Sequence, residues 1–241
     1  MSNKFNRFKD ASWFPKDGEE IYTIVGGSGG IGSWTSLLLA RAGFKPIVYD
    51  FDLLEEHNIS GQLHRYSDAK RGVSKVESIA NIIKDFCDED ILTRDEEYTL
   101  ESGSDHYVFS CFDNMKARKE MFESWCSYVD FWKNDTDEDK DKSTPIFIDG
   151  RLSAESMQIF CVTPNEIENY KEYLFEDSEV EDLPCTFKQT SHAAAMIASH
   201  IVGFFTNHIN NQREDSIKRN IPFYWEYIIP LDFINRKDGV I

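Results

Sequence analysis

The sequence lacks the cysteine spacing of a disulfide-stabilised or zinc-binding protein. Its 241 residues include five cysteines, an odd number, and no two of them form a C-x-x-C pair. They are Cys87, Cys111, Cys126, Cys161 and Cys185. This number and spacing indicate neither a disulfide framework nor a structural zinc site, so reduced thiols are expected.

Long apolar segments are also missing. The longest nearly apolar run, residues 193–205, is interrupted by Ser199 and His200 and is shorter than the roughly 20 residues that a bilayer span needs. The first ten residues are mostly polar and basic and contain no apolar core of a secretory signal. We therefore expect a cytoplasmic protein with no membrane partner.

Basic residues are outnumbered, with 26 Lys and Arg against 43 Asp and Glu, which gives a net charge of −17. A field of this sign repels a phosphate backbone, so nucleic acid is not an expected partner. Apolar residues make up 41% of the chain, enough for the core of one domain. We predict a single domain over 1–241, with an amino-terminal extension at 1–20 and a crossover segment at 164–190.

Strand and helix patterns alternate along the chain, as in an α/β fold. Apolar or β-branched runs predict strands at 21–25, 45–50, 90–94, 106–111, 145–149, 156–163 and 222–229. Helices are predicted at 34–42, 74–86, 115–129 and 191–207. Residues 51–72 are interpreted as an ordered loop and 166–184 as a flexible crossing segment. The pattern at 156–163 predicts an exposed edge strand, and 222–229 is predicted to be the last strand.

A glycine motif lies between the first strand and the first helix. Gly27, Gly29 and Gly32 form G-x-G-x-x-G, where glycines let the backbone approach a phosphate and the helix N-terminus offers free N–H groups. Asp50, about 20 residues further on at the end of the second strand, can accept hydrogen bonds from a ribose. The motif predicts a nucleotide site. Alternatively, the glycines only permit a tight turn, and Asp50 is an exposed strand end.

Further motifs resemble those of the ThiF/MoeB family of ubiquitin-activating-type adenylyltransferases and occur in that family's order. They are Gly29-Gly30, Asp50-Phe51-Asp52, Asn58 with Gln62, Gly72-Val73-Ser74-Lys75-Val76-Glu77, and Cys111-Phe112-Asp113-Asn114 with Arg118. The resemblance spans residues 21–207. It implies a doubly wound, Rossmann-like α/β sheet, parallel in its first half and antiparallel in its later strands.

The resemblance also implies an activity. Family members use ATP and Mg²⁺ to adenylate the C-terminal carboxylate of a ubiquitin-like or sulfur-carrier protein, and they are commonly homodimers. The C-x-x-C pairs that bind zinc in bacterial members are missing here, so the zinc-free branch of the family is the better comparison.

Roles for individual residues follow from the same resemblance. It implies that Asp50 binds the ribose, Lys75 contacts the ATP phosphates and Asp113 holds Mg²⁺, in agreement with the chemistry of ammonium and carboxylate groups. The other nucleotide-binding candidates are Gly27, Gly29, Gly30, Gly32, Asp52, Asn58, Gln62 and Asn114. From the residues alone, the alternatives are an exposed helix residue for Lys75 and a helix N-cap for Asp113.

One position departs from the family pattern. An arginine usually precedes the glutamine of the N-x-x-R-Q segment, but here that position is Gly61. Loss of a guanidinium from such a site costs several kcal/mol of transition-state stabilisation. Either Arg65 or Arg71 replaces it from the same loop, an arginine such as Arg7 comes from a partner subunit, or the activity is weakened.

Cys185 resembles the crossover-loop cysteine of the family. A thiolate at this position would attack the acyl-adenylate and form a thioester, and a nearby His192 or helix N-terminus would increase its reactivity. The alternative is an unreactive thiol, which is our expectation for Cys111 and Cys161 within apolar strands.

Two other functions stay open at this point. The chain is alternatively a degenerate activating-enzyme subunit that binds nucleotide or a partner without turnover, as Gly61 suggests. An NAD-dependent oxidoreductase is supported only by the glycine motif and Asp50.

Overall fold

A computed structural model describes residues 3–137, 141–175 and 190–239 of the chain. In these ranges eight strands form one sheet in the order β3-β2-β1-β4-β5-β6-β7-β8. The strands are β1 Tyr22–Gly26, β2 Lys45–Tyr49, β3 Leu92–Arg94, β4 Tyr107–Ser110, β5 Ile146–Ser153, β6 Ser156–Val162, β7 Pro222–Ile228 and β8 Phe233–Asp238. The helices are α1 Gly30–Arg41, α2 Tyr66–Arg71, α3 Lys75–Cys87, α4 Met115–Asn134, α5 Ile167–Lys171 and α6 Ser191–Asn211.

The sheet has a parallel half and an antiparallel half. Strands β1 to β5 pair in parallel, whereas β6, β7 and β8 pair antiparallel. The expected doubly wound α/β fold is thereby confirmed. Because β1 pairs with both β2 and β4, the strand order reverses at β1, and the crevice beyond the carboxyl ends of these strands is where such sheets bind ligands.

Helices cover both faces of the parallel half. Neighbouring strand residues point to opposite faces, so Val25 packs among side chains of α1, α3 and α6 while Ile24 packs against α4. Trp125 of α4 is fully buried, as expected of a core tryptophan. This double coverage explains why the central strands β1 and β4 are apolar runs in the sequence.

Residues 51–72 are not a loop as predicted. They contain a 3-10 turn, Glu56–Ser60, and the short helix α2, which ends at Gly72 in the left-handed conformation with φ 61°. Elements of five and six residues are too short to show a helical period in the sequence.

The predictions for the antiparallel half were wrong in two respects. Strand β6 is not an edge strand, because it pairs with β5 on one side and β7 on the other, and its Met157 and Ile159 are fully buried. Strand β7 is not the last strand, because β8 follows it at the edge of the sheet. The sequence of β8, FINRKD, is mostly exposed and carries no apolar pattern.

The 164–190 crossover segment is described only in part. Helix α5 lies within it, and Tyr170 of this helix is fully buried, so the flexible interpretation is wrong for this stretch. Cys185 lies outside the described residues. Across the described ranges, none of the helices combines the length and the hydropathy needed to cross a bilayer.

Candidate nucleotide site

The glycine turn between β1 and α1 lies at the carboxyl edge of the parallel strands. Gly27 has φ +87°, and a Cβ atom there would lie 3.0 Å from the Cys111 carbonyl oxygen. A Cβ at Gly32 would lie 1.7 Å from the Gly27 carbonyl oxygen. A Cβ at Gly29 would meet only Gln62 Nε2, at 3.9 Å. Packing therefore explains Gly27 and Gly32 but leaves open space in front of Gly29.

Helix α1 presents unpaired N–H groups to this space. Gly29 is the N-cap and has no side chain to bond the first turn. The first intrahelical bond runs from the Ser33 N–H to the Gly29 carbonyl, at 3.1 Å. The N–H groups of residues 30–32 thus have no helical partner, and no acidic side chain lies in the first turn. Such a terminus attracts phosphate.

Asp50 connects the turn to the end of β2. One carboxylate oxygen accepts the Ser28 N–H at 2.6 Å, and the other accepts the Asp52 N–H at 2.9 Å. Asp50 is only 9% exposed, so it is not the exposed strand end of the alternative interpretation. Burial raises the pKa of Asp50, and the charge of Lys75 opposes this rise. Its contact with a ribose stays a prediction.

Lys75 lies next to Asp52 and is buried. It is the first residue of α3, after the N-cap Ser74, and its Nζ is 2.5 Å from Asp52 Oδ2. The exposed-helix alternative is therefore wrong. Because half of the Asp52 side chain is exposed, this ion pair is open to competition from a bound anion.

Asp113 follows the segment that packs on the glycine turn. A Cβ at Gly27 would lie 3.3 Å from the Phe112 ring, so the β4–α4 connection borders the turn directly. The N-cap of α4 is Asn114, whose side-chain oxygen accepts the Ala117 N–H at 2.8 Å. The N-cap alternative for Asp113 is thus wrong. Its carboxylate is exposed, and the Asn114 amide lies 3.5 Å away.

The 58–62 segment borders the turn from the other side. Asn58 caps the 3-10 turn by accepting the Glu55 N–H at 2.9 Å. Gln62 Oε1 is buried and has no hydrogen-bond partner within the described ranges. The Gln62 atom that faces Gly29 is the amide nitrogen Nε2, a donor, which would lie 3.9 Å from a Cβ at that position.

The two arginines proposed to replace the missing guanidinium are paired elsewhere. Arg65 forms an ion pair with Asp85 of α3. Arg71 lies 2.7 Å from Asp68 within α2. Arg7 is exposed in the amino-terminal segment, and its role toward a partner subunit stays a prediction.

A buried charged cluster lies behind the β4–α4 connection and was not predicted. Asp149 of β5 is fully buried, pairs with Arg118, and lies 2.7 Å from Arg151 Nε. The Tyr170 hydroxyl donates to the same carboxylate at 2.8 Å. Arg118 also donates to the Phe112 carbonyl at 2.6 Å, which fixes the segment that carries Asp113. The signal in the sequence was a carboxylate inside the apolar strand PIFID.

Two predicted core thiols are buried as expected. Burial raises the pKa of Cys111 to about 12 and also raises that of Cys161. Within the described ranges, no group of three or more His, Cys, Asp and Glu side chains is arranged to hold a metal ion.

Known proteins share this architecture. Escherichia coli MccB, solved with ATP, superimposes with a TM-score of 0.68 at 14% identity, over 99% of this chain and 72% of that one. The E. coli tRNA N6-threonylcarbamoyladenosine dehydratase TcdA gives a TM-score of 0.60 at 17% identity, over 86% of this chain and 92% of that one. At these identities the likeness establishes the fold.

Sequence comparison gives the family. Yeast (Saccharomyces cerevisiae) tRNA threonylcarbamoyladenosine dehydratase 2 is 30% identical in an alignment 115 residues long, which covers 42% of this chain and 25% of that protein. The chain thus matches about a quarter of the length of that relative. The model of the ThiF family matches residues 16–227. Since this match covers most of the sheet and the glycine turn, the chain belongs to the ThiF family.

Proposed function

We propose that this protein adenylates a carboxylate with ATP. The carrying observation is the open space in front of Gly29, which packing does not require and which the unpaired N–H groups of α1 and the Gln62 amide nitrogen border. Lys75 and Asp113 lie on the two connections beside this space, after β2 and β4. These groups suit a nucleoside triphosphate better than a dinucleotide, because the site offers an ammonium group and a triphosphate carries more negative charge than the pyrophosphate of a dinucleotide.

In the proposed reaction a carboxylate oxygen attacks the α-phosphorus of ATP. A P–O bond forms to the carboxylate, the bond to the β-phosphate breaks, and pyrophosphate leaves with the electron pair. The N–H groups of α1 bind phosphate oxygens, and Lys75 exchanges Asp52 for a phosphate. Asp113 would hold Mg²⁺, which would neutralise charge on the leaving pyrophosphate.

We propose the C-terminus of a small protein or peptide as the carboxylate. The net charge of −17 supports this choice over tRNA, because a polyanion is repelled by such a chain. A ubiquitin-like or sulfur-carrier protein fits, and Cys185 is the proposed acceptor of the acyl group as a thioester. The likeness to two tRNA dehydratases makes a nucleoside carboxylate the second candidate.

Exchange of labelled pyrophosphate into ATP tests both substrates. We expect exchange with ubiquitin-like proteins that end in a free carboxylate and none with the same proteins amidated at the C-terminus. Exchange only with tRNA that carries threonylcarbamoyladenosine would show that the substrate is a nucleoside carboxylate and not a protein. No exchange with any carboxylate would contradict adenylation. Mass spectrometry of Cys185→Ser against the native chain tests the thioester.

Gly61 supports a second function, a subunit with weakened catalysis. Both nearby arginines, Arg65 and Arg71, are engaged with carboxylates. This alternative predicts ATP binding without exchange and restored exchange when an active family subunit is added.

Titration with NADH tests the oxidoreductase alternative, which tight binding without competition from ATP would support.

A further inference from the structure

His64 is a buried imidazole that contacts the glycine turn. It lies between the 3-10 turn Glu56–Ser60 and α2, and only 8% of it is exposed. Its Nε2 is 2.9 Å from the Ser28 carbonyl oxygen. A carbonyl oxygen only accepts hydrogen bonds, so Nε2 carries the proton and donates it. The neighbouring Leu63 N–H donates to Ser33 Oγ at 3.0 Å, which ties the same loop to α1.

The other ring nitrogen is held by α3. Nδ1 is 3.2 Å from Ser78 Oγ, which is also 2.9 Å from Asp68 Oδ2. The Ser78 hydroxyl has a single proton and donates it to Asp68. Burial lowers the pKa of His64 to about 4, so the ring is neutral near pH 7 and carries one proton. Because the Ser28 carbonyl only accepts, that proton is on Nε2.

Ser28 is therefore held at both of its backbone groups. Its N–H donates to Asp50 and its carbonyl accepts from His64. Because a trans peptide is planar, the Ser28 C=O and the Gly29 N–H point in opposite directions. With the carbonyl directed at His64, the Gly29 N–H points away from it and has no hydrogen-bond partner among the residues described here.

We propose that His64 is a positioning residue of the nucleotide site, which orients the Gly29 N–H toward a phosphate group by holding the Ser28 carbonyl. A rotated peptide would present a carbonyl oxygen to the phosphate, so a charge-assisted donor would be replaced by a repelling dipole. The proposal rests on the proposed ATP site. It names a residue that does not itself contact the ligand.

Three substitutions at His64 and one matched control test this role. His64→Gln keeps a donor near the Nε2 position, whereas His64→Leu removes it and His64→Asn retains only the Ser78 side. The control is His208→Leu, because His208 is equally buried and also bonds a carbonyl, that of Thr144 at 2.7 Å, beyond the amino end of β5. ATP affinity is measured by calorimetry, and hydrogen exchange of the 27–33 peptide is measured without nucleotide.

We expect His64→Leu and His64→Asn to weaken ATP binding about tenfold or more and to accelerate exchange at 27–33. His64→Gln should stay within about threefold of the native chain. The control should lose stability but keep its ATP affinity and its exchange at 27–33. If His64→Leu does not fold, His64→Asn decides the outcome.

Several results would overturn the proposal. Native ATP affinity in both His64→Leu and His64→Asn is one of them. Another is a loss of ATP affinity in His64→Gln equal to that in His64→Leu, which would exclude a donor role. If the native chain binds no ATP, the proposed function fails. Hydrogen exchange then still decides whether His64 holds the turn, since unchanged exchange at 27–33 in His64→Leu and His64→Asn would refute that.

Discussion

Gly61 stands where the family resemblance predicts an arginine. Its backbone, with φ −117° and ψ −18°, is open to any L-residue, so glycine is not required there for conformational reasons. Arg65 and Arg71, the nearest replacements in the sequence, are both bound to carboxylates. The described part of this loop therefore cannot supply a guanidinium to the site without breaking an ion pair.

Gly61→Arg should increase the rate of carboxylate-dependent pyrophosphate exchange by about tenfold or more, because a donor aimed at developing phosphate charge is worth roughly 10²–10³ in rate. Gly61→Gln is the matched control, since it adds length without charge and should leave the rate unchanged. An equal rate in Gly61→Arg and the native chain would show that the missing guanidinium is not limiting.

Asp113→Asn should weaken Mg²⁺-dependent ATP binding about tenfold or more while binding in EDTA stays unchanged, because the amide carries no charge for the cation. Calorimetry with and without Mg²⁺ measures both affinities. Asp17→Asn, another exposed position, is the control. Loss of affinity that is equal in EDTA and in Mg²⁺ would refute a metal role for Asp113.

At the scale of elements, strands β1 and β4 in the middle of the parallel half were predictable because they are almost wholly buried and their runs are apolar. Strand β6 resembled an edge strand because Gln158 breaks its apolar run, but Gln158 bonds Glu226 of β7 at 3.0 Å, a contact only the fold supplies. The sequence predicted that Asp50 lies at the end of β2. Its hydrogen bonds to the Ser28 and Asp52 N–H groups could not be predicted, because a carboxylate at a strand end accepts from a ribose and from a backbone N–H equally well.

The N-cap of helix α4 gives a test of its stabilising role. Asn114→Ala should lower the free energy of unfolding by about 1 kcal/mol, because it removes the N-cap bond to the Ala117 N–H. Asn114→Asp keeps an acceptor and should unfold like the native chain. Urea titration measures both, and an undiminished unfolding free energy in Asn114→Ala would contradict the capping role.

For the whole molecule, two buried histidines make stability depend on pH. Burial lowers the pKa of both His64 and His208 from 6.5 to about 4. The unfolded chain binds these protons first as the pH falls, so their contribution is complete above about pH 6.5 and is lost between about 6.5 and 4. Each should reduce the free energy of unfolding by about 2 kcal/mol between pH 7 and pH 5.

His208→Gln isolates one of these contributions, because glutamine retains a donor for the Thr144 carbonyl and does not titrate. We expect this variant to lose about 2 kcal/mol less than the native chain over the same pH interval. Urea unfolding at pH 7, 6 and 5 measures the difference. Parallel pH profiles would mean that the pKa of His208 is the same in the folded and the unfolded chain.

The open space in front of Gly29 means that one substitution can affect activity without affecting folding. A methyl group there would contact only the amide nitrogen of Gln62, at the van der Waals distance of 3.9 Å, so Gly29→Ala should fold and unfold like the native chain. On the proposed function, the same methyl would lie where the N–H groups of α1 are expected to meet a phosphate. Gly29→Ala should therefore fold without turning over ATP, and it would serve to retain a carboxylate-bearing partner that the proposed reaction would consume.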